Sequence, residues 1–304
     1  MAVQRVKIII NPAAGANSTR RKWPRIKTLF EQAGLTFDHQ HTEGTGHAIE
    51  LAERAAAEGY SCLVSVGGDG TVSEVANGIL NSGNGKNTAL AVISTGTGSD
   101  FARSAGIPQP LVSACFVVAG PGRLLIDVGQ VECLNRGRTV KRFFVNGAGI
   151  GFDAAVSENT NRLPKKLGGT FPYLTGLFLT MVRYRNKQVE MRIGDRAETA
   201  RVLSVVVANG RYFGGGMKVA PDARLDDSLL DVVVLGDVSK FDLIKSLPMI
   251  YKGTHGRHPK VSMEQATTVT VESPERVLVH ADGELIGEGP AAFGIKPGAL
   301  SIVV

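Results

Sequence analysis

A short apolar run that leads directly into a glycine-rich turn is the feature that most constrains this chain. Residues 62–66 predict a buried strand, a turn of three glycines around Asp69 follows, and residues 71–80 predict a helix. Glycines let the backbone turn sharply and approach a ligand closely because they carry no Cβ. The N-terminus of the following helix offers N–H groups and a positive dipole end to an anion. The segment therefore predicts a strand–turn–helix unit that holds a phosphate group.

The residues around this unit alternate between strand and helix patterns. This order predicts a parallel sheet with helices on its faces, a Rossmann-like α/β domain over residues 1–124 that binds a nucleotide. The predicted strands are 6–10, 36–41, 62–66 and 90–94, and the predicted helices are 18–33, 46–58, 71–80 and 100–105.

The pattern changes from about residue 124, where short β-branched segments recur between turn residues. They predict an antiparallel β-sandwich domain over residues 125–304, interrupted by a helical segment at 163–185, and the last strand (298–304) could return to either sheet. Residues 146–152 are interpreted as a close-packed turn between a strand and a helix. The predicted strands are 124–131, 141–146, 188–193, 199–208, 229–235, 261–263, 267–272 and 277–280.

Composition limits the class of protein and of partner. A chain of 304 residues is long enough for two domains with cores of their own. The net charge of +6 is small and scattered, so nucleic acid is not expected as a partner. Three widely spaced cysteines favour a reducing cytosol, and no apolar stretch reaches the roughly 18 residues of a membrane-spanning helix.

Two further glycine-rich loops follow predicted strands, at residues 11–15 and 94–101. Ligands bind at the carboxyl ends of strands in open α/β sheets, so the three loops together predict a site for a nucleotide polyphosphate. A carboxylate such as Asp69 in a phosphate cradle indicates Mg²⁺ or the acceptance of a proton from a hydroxyl. The alternative is a tight turn in which Asp69 only caps the helix.

These loops, taken in order with later motifs, resemble the catalytic domain of the diacylglycerol kinase family, which includes sphingosine kinases, ceramide kinases and bacterial lipid kinases. The resemblance covers nearly the whole chain and is greatest to the bacterial members. NAD kinases share the Gly-Gly-Asp-Gly-Thr turn, but the later blocks favour the lipid kinases. The matching residues are 11–15, 67–71, 96–102, 146–153, 214–217, 220–227 and 282–284.

The resemblance implies that ATP is held in a cleft between an N-terminal nucleotide domain and a C-terminal β-sandwich. The sequence departs from the family pattern at Ser94, where proline is usual, and at Ser99, where asparagine is usual. Ser99 keeps the polarity, so we expect a shifted hydrogen bond. The residues that the resemblance assigns to ATP are Asn11, Pro12, Ala13, Ala14, Gly15, Thr42, Gly67, Gly68, Asp69, Gly70, Thr71, Val72, Ser73, Gly96 and Thr97.

In the second domain, the resemblance makes Glu284 the proton acceptor for the lipid hydroxyl, with Asp282 and Asp69 as its catalytic neighbours. Without the resemblance, Asp282-Gly283 would indicate a hairpin turn. The resemblance also implies a structural Mg²⁺ held by the Asp227 side chain and the backbone carbonyls of Arg224 and Leu229. The alternative there is a solvated acidic turn.

The sequence thus predicts an ATP- and Mg²⁺-dependent lipid kinase that converts diacylglycerol to phosphatidate. Residues 171–185 are apolar with basic ends and could lie on an anionic bilayer, could line a lipid tunnel, or could form an ordinary helix that covers the core. We expect a cytoplasmic protein that contacts the inner membrane face transiently, and an edge strand could pair across a homodimer. The alternatives are an NAD kinase-like enzyme of small molecules and a catalytically silent nucleotide-binding regulator.

Overall fold

The computed structural model describes residues 5–162, 176, 179–181 and 183–304. The chain forms two compact units. The first unit contains the residues up to Asp127 together with Pro297–Val304, and the second contains Val128–Lys296. Each unit has a hydrophobic core of its own, and the segments 123–135 and 284–303 contribute residues to both units.

The first unit is a parallel α/β domain, as the alternating pattern predicts. Strands β2, β1, β3 and β4 pair side by side in parallel, and Ile302 near the chain terminus pairs in parallel with Leu90 of β4. The elements are β1 (Val6–Ile10), α1 (Ala14–Gln32), β2 (Phe37–His41), α2 (His47–Ala57), β3 (Cys62–Gly67), α3 (Asp69–Asn81), β4 (Ala89–Ser94), α4 (Asp100–Ser104) and α5 (Leu111–Ala119).

The core of the first unit explains why its central strands are continuous apolar runs. Every residue of β3 is buried, and its side chains pack with those of β1 and β4 against α1 and α5. Strands that carry helices on both faces bury both sets of alternating side chains. Helix α5 was not predicted, because its sequence is almost entirely apolar and shows no polar face with helical spacing.

The second unit is an antiparallel, sandwich-like β domain. Strands β12, β11, β10, β7, β14 and β15 pair in that order, while β13 joins β15 to β8 and β8 pairs with β9. The elements are β5 (Arg123–Asn135), β6 (Arg138–Phe144), β7 (Gly147–Gly151), α6 (Phe152–Arg162), β8 (Lys187–Ile193), β9 (Arg196–Val202), β10 (Ser204–Ala208), β11 (Leu230–Leu235), α7 (Lys240–Lys252), a 3₁₀ turn (His255–Arg257), β12 (Val261–Ala266), β13 (Thr268–Glu272), β14 (Leu278–Ala281) and β15 (Glu284–Val303).

The structure corrects several predictions in the second unit. The prediction of a turn at 146–152 was wrong, since Gly147–Gly151 forms a fully buried strand between β10 and β14. A Cβ at Gly147 would overlap the ring of Phe213, so only glycine fits at that position of the strand. The predicted strand 199–208 is two strands separated at Leu203. Helix α7 was not predicted, and residues 171–185 lie largely outside the described residues.

Candidate functional site

The three glycine-rich loops of the first unit meet at one edge of its sheet. Strand β3 lies between β1 and β4, so the loops that follow these parallel strands emerge together. The Thr95 N–H donates a hydrogen bond to the Gly67 carbonyl at 2.8 Å. A Cβ at Gly96 would lie 2.9 Å from the Gly68 Cα, so the second and third loops approach as closely as glycine allows.

Asn11 fastens the first loop to the beginning of α3. Its Nδ2 donates to the Thr71 Oγ1 at 3.1 Å, while its Oδ1 accepts from the Ala13 N–H at 3.1 Å. Both bonds use the side-chain amide, which offers donors and an acceptor at once. The predicted Asn-Pro loop is therefore joined to the glycine turn by a side chain that the sequence had placed at the nucleotide.

Gly15 is the residue that lets the first loop approach the third. Its φ is +58°, and an added Cβ would lie 2.5 Å from the Thr95 carbonyl oxygen. Ala16 and Asn17 also have positive φ values, so regular helix begins only at Ser18. That start agrees with the predicted helix at 18–33, and it leaves residues 13–17 as a turn beside the loops.

Asp69 contacts the third loop rather than capping its own helix. The N-cap position of α3 belongs to Gly68, and the Asp69 Oδ1 accepts a hydrogen bond from the Phe101 N–H at 3.1 Å. A Cβ at Gly98 would lie 2.6 Å from the Asp69 Oδ2. The half-buried carboxylate thus lies among glycines of two loops, where a phosphate-bound cation would offset its charge.

The other residues that the resemblance assigns to ATP differ in their solvent exposure. Thr97 is exposed, whereas the side chains of Thr71, Val72 and Ser73 are buried, so these three face the protein interior. Thr42 is also buried and donates its N–H to the Ile10 carbonyl at 2.8 Å. At least partly exposed residues are Pro12, Ala13, Ala14, Gly68, Gly70 and Gly96, while Gly67 is buried.

Sequence reasoning missed the buried Glu74 in α3. Its carboxylate accepts from the Gly46 N–H at 2.8 Å and the Ala48 N–H at 3.1 Å, at the start of α2. A carboxylate at a helix N-terminus satisfies N–H groups that have no partner within the helix. Glu74 therefore fixes the loop that follows Thr42, and its place in the first turns of α3 was the available signal.

In the second unit, Asp282 is the centre of a tight turn. Its Oδ1 accepts from the Asn146 and Gly147 N–H groups at 3.0 Å each, and its Oδ2 accepts from the Val145 N–H at 3.0 Å. Three N–H bonds to one carboxylate hold it in a single orientation. The structure thus gives Asp282 a positioning contact, beside Gly283, between β14 and β15.

Glu284, the predicted proton acceptor, is the first residue of β15. Its Oε2 lies 3.1 Å from the Arg142 Nη2, and about a third of the Glu284 side chain (31%) is exposed. The charged contact with the guanidinium holds the Glu284 carboxylate in one orientation. Glu284 is therefore held by a partner from β6 and still reaches solvent.

A chain of buried and partly buried polar side chains supports the same turn, and sequence reasoning missed it. The Ser204 Oγ donates to the Asp153 Oδ1 at 2.6 Å, and the Asp153 Oδ2 lies 2.9 Å from the His280 Nε2. The His280 Nδ1 in turn accepts from the Gly283 N–H at 3.3 Å. The sequence signal was Asp153 at the end of the glycine-rich block, but its partners are distant in the chain.

The predicted metal loop brings acidic side chains close together. The Asp227 Oδ1 accepts from the Leu229 N–H at 3.1 Å, and the Gln265 Nε2 lies 3.4 Å from both the Asp227 Oδ2 and the Asp231 Oδ2. Burial, together with the nearby charges of Asp227 and Asp222, raises the pKa of Asp231 to about 6. A divalent cation would relieve that repulsion, so the donor set fits one.

Two further features of the described residues concern metal ligands and membrane-spanning helices. Among the described residues, no three His, Cys, Asp or Glu side chains are grouped as metal ligands, which is compatible with a site that relies on the backbone carbonyls of Arg224 and Leu229. Within the same part of the chain, no helix has the length and apolar content to cross a bilayer.

Comparison with known families divides the chain in two. Residues 5–131 match the family model of the diacylglycerol kinase catalytic domain. Residues 147–304 match the model described as the YegS C-terminal NAD kinase beta sandwich-like domain. Together the two matches contain the three glycine-rich loops, Asp227, Asp282 and Glu284.

Comparison with individual proteins agrees with the family matches. A protein from Staphylococcus aureus (strain bovine RF122 / ET3-1) named diacylglycerol kinase is 30% identical over 290 residues, which is 95% of this chain and 89% of the relative. One of the same name from Staphylococcus carnosus (strain TM300) is 29% identical, over 95% of this chain and 92% of the relative.

Solved structures share the fold. A crystal structure of a diacylglycerol kinase from Bacillus anthracis str. Sterne aligns with a TM-score of 0.73 at 20% identity, over 100% of this chain and 97% of the other. A second chain from that organism aligns with a TM-score of 0.79 at 24% identity, over 99% and 97%. The predicted fold, a parallel α/β domain followed by an antiparallel sandwich-like domain, is confirmed.

Proposed function

The chain belongs to the diacylglycerol kinase family, and from that premise we propose that this lipid kinase transfers the γ-phosphoryl group of ATP to the primary hydroxyl of diacylglycerol, giving phosphatidate. The observation that carries the proposal is the convergence of three glycine-rich loops around Asp69 in the first unit. The curated relatives are named diacylglycerol kinase, which favours this acceptor over NAD.

The glycine-rich loops supply the nucleotide end of the reaction. Close approach of Gly15, Gly68 and Gly96 leaves backbone N–H groups as the contacts for phosphate oxygens, without side chains in the way. Phosphoryl transfer depends mainly on positioning and charge neutralisation, to which Mg²⁺ bound to the phosphates contributes when present. Asp69, held by the Phe101 N–H, is the carboxylate that would hold such a cation.

Glu284 is the proposed acceptor of the proton from the lipid hydroxyl. The lipid hydroxyl must lose a proton as it bonds to phosphorus, and the Glu284 carboxylate accepts that proton. Arg142 orients the Glu284 carboxylate, since its Nη2 lies 3.1 Å from the Oε2. Asp282 holds the adjacent turn through three backbone N–H bonds, so its role is to position Glu284 rather than to exchange the proton itself.

The acidic loop around Asp227 is proposed to bind a structural Mg²⁺. The Asp227 carboxylate and the carbonyls of Arg224 and Leu229 would hold the ion. Its positive charge would offset the repulsion between Asp231 and the neighbouring carboxylates. This cation would stabilise the loop before β11 and takes no part in the chemical step. We further propose that the enzyme works in the cytosol and meets its lipid at the inner membrane face.

The test is a transfer assay with ATP labelled at the γ-phosphate. The purified protein is offered diacylglycerol, sphingosine, ceramide and NAD separately, with and without Mg²⁺. The proposal expects labelled phosphatidate, formed only with Mg²⁺, and no labelled NADP. Labelling of NAD alone would favour the NAD kinase alternative, and tight ATP binding with no labelled product would favour a silent regulator.

A further inference from the structure

Helix α7 of the second unit carries apolar side chains on the face that points away from the core. Phe241 is 74% exposed, Ile244 50% and Tyr251 46%. With the exposed Pro248 they follow one another in steps of three, four and three residues, which places them on one side of a helix with 3.6 residues per turn. We call this set the α7 stripe.

The α7 stripe lies on a different side of the helix from the residues that pack against the rest of the unit. Leu243 and Ile250 on the opposite side of α7 are buried and already secure the helix to its unit. An exposed row of large apolar side chains contributes nothing to that packing and is costly in water. The stripe is therefore apolar area that binding to a partner would bury.

Basic residues border the stripe on both sides. Lys240, Lys245 and Lys252 are exposed, and at 100° per residue they lie on either side of the apolar row. The helix contains one acid, Asp242, which is engaged at the N-terminus by the hydroxyl of Ser239 at 2.8 Å. An apolar row bordered by lysines is complementary to the acyl chains and anionic headgroups of a bilayer.

A cavity beside the N-terminal end of α7 extends the positive charge. Its volume is about 360 Å³, with an apolar base that includes Phe152, Leu203 and Leu243. Four cations and one carboxylate line it: Arg185, Arg201, Lys240, Lys260 and Asp237. Asp237 is paired with Arg201 at 3.6 Å, and its carbonyl accepts from the Lys260 Nζ at 2.8 Å, so the lining keeps a net positive charge.

We propose that the α7 stripe, with Lys240, Lys245 and Lys252, is the surface by which this protein docks on an anionic lipid bilayer. The aromatic and aliphatic side chains enter the boundary between headgroups and acyl chains, and the lysines contact the headgroup phosphates. This inference rests on the proposed function, because a lipid kinase must reach a substrate in a membrane. Docking itself requires neither ATP nor turnover.

The test measures vesicle binding in the absence of ATP. Full-length protein is sedimented with vesicles of phosphatidylcholine and phosphatidylglycerol in equal parts, and with vesicles of phosphatidylcholine alone. Wild type should bind the anionic vesicles, and binding should weaken as salt rises. The double variant Phe241→Ser/Ile244→Ser should bind on the order of tenfold more weakly. Lys245→Gln/Lys252→Gln should weaken binding by on the order of tenfold and flatten the salt dependence.

A matched control is available on α5. Phe116 is a comparably exposed phenylalanine (58%) on a helix without lysine or arginine. Phe116→Ser should bind vesicles as wild type does, and thermal unfolding should show that all the variants remain folded. Equal binding by wild type and the Phe241→Ser/Ile244→Ser variant would overturn the proposal, as would a loss of binding in Phe116→Ser of the same size.

Two further readouts separate this inference from the proposed function. The Phe241→Ser/Ile244→Ser variant should phosphorylate diacylglycerol dispersed in detergent at the wild-type rate, because detergent removes the need to dock. If wild type phosphorylates the lipid in detergent yet never binds vesicles, docking fails and the function stands. If it binds vesicles through the stripe yet phosphorylates no lipid, the function fails and docking stands. A wild-type dimer that the double variant converts to a monomer would assign the stripe to a second copy and contradict the proposal.

Discussion

The two regions of this molecule that carry the predicted chemistry are built in opposite ways. In the first unit, three loops approach one another through Gly15, Gly68 and Gly96, so the site is shaped by backbone and by the absence of side chains. In the second unit, the turn at Asp282 is held by side chains, through Arg142 and a chain of polar groups ending at His280. A substitution should therefore act by adding atoms in the first region and by removing polar atoms in the second.

The largest effect is expected at Glu284. Glu284→Gln keeps the shape of the side chain but removes its capacity to accept a proton, so kcat for the lipid should fall about 100- to 10,000-fold. Binding of ATP should stay near the wild-type value. The variant is assayed by labelled transfer to diacylglycerol, with ATP affinity measured by calorimetry.

Glu288→Gln is the matched control, because Glu288 lies on the same strand and also pairs with an arginine, Arg276, at 2.6 Å. It should lose less than about twofold, as expected for an exposed ion pair. Near-wild-type kcat in Glu284→Gln would remove the proton acceptor from the mechanism and leave the second region without its proposed role.

The next effect is expected at Asp282. Asp282→Asn replaces a carboxylate that accepts three backbone N–H bonds with an amide that has one acceptor atom. The free energy of unfolding should fall by about 1–3 kcal/mol, and kcat should fall as the turn loosens. Urea titration and the transfer assay measure the two quantities together. An unchanged stability would show that these bonds are replaced by water.

A smaller effect on turnover is expected from adding one methyl group at Gly15. Gly15→Ala meets the Thr95 carbonyl oxygen at 2.5 Å and must keep a positive φ, so the loops should separate and KM for ATP should rise. Gly34→Ala is the control, because Gly34 also has a positive φ (+72°) but no neighbour within 4 Å. Gly34→Ala should lower the free energy of unfolding by about 1 kcal/mol without changing KM for ATP. Equal KM changes in both variants would refute the close approach of the loops.

The smallest effect is expected at the acidic loop. Adding Mg²⁺ to protein treated with a chelator should raise the melting temperature by a few degrees, because the cation offsets the repulsion among Asp222, Asp227 and Asp231. Asp227→Asn should remove most of that rise. A Mg²⁺ response of the same size in Asp227→Asn would place the stabilising ion elsewhere.

The same contrast explains what the sequence could and could not predict. The glycine-rich loops follow strands within a few residues, so motif and strand pattern together placed them at one sheet edge. The supports of the second region join residues that are far apart, such as Asp153 with His280 and Arg142 with Glu284. No local pattern predicts such pairs. Asp153 and His280 meet through the pairing of β7 with β14, and Arg142 and Glu284 meet because β5 pairs with both β6 and β15.

Two errors in the predicted fold can each be traced to the sequence of one short segment. Residues 147–151 were interpreted as a turn because glycine is abundant in turns, yet there the glycines make room for Phe213, Asp153 and His280 against a buried strand. Helix α5 was missed because an almost wholly apolar segment carries no periodic signal. In both, the deciding information is which side chains of other elements pack against the segment.

The most direct test of the central claim is a crystal structure of the protein with Mg²⁺ and a non-hydrolysable ATP analogue. Our account predicts the phosphate groups against the backbone N–H groups of residues 68–70 and 96–98, with Asp69 next to the cation. Phosphates bound anywhere else in the chain, while these loops hold only solvent, would contradict it.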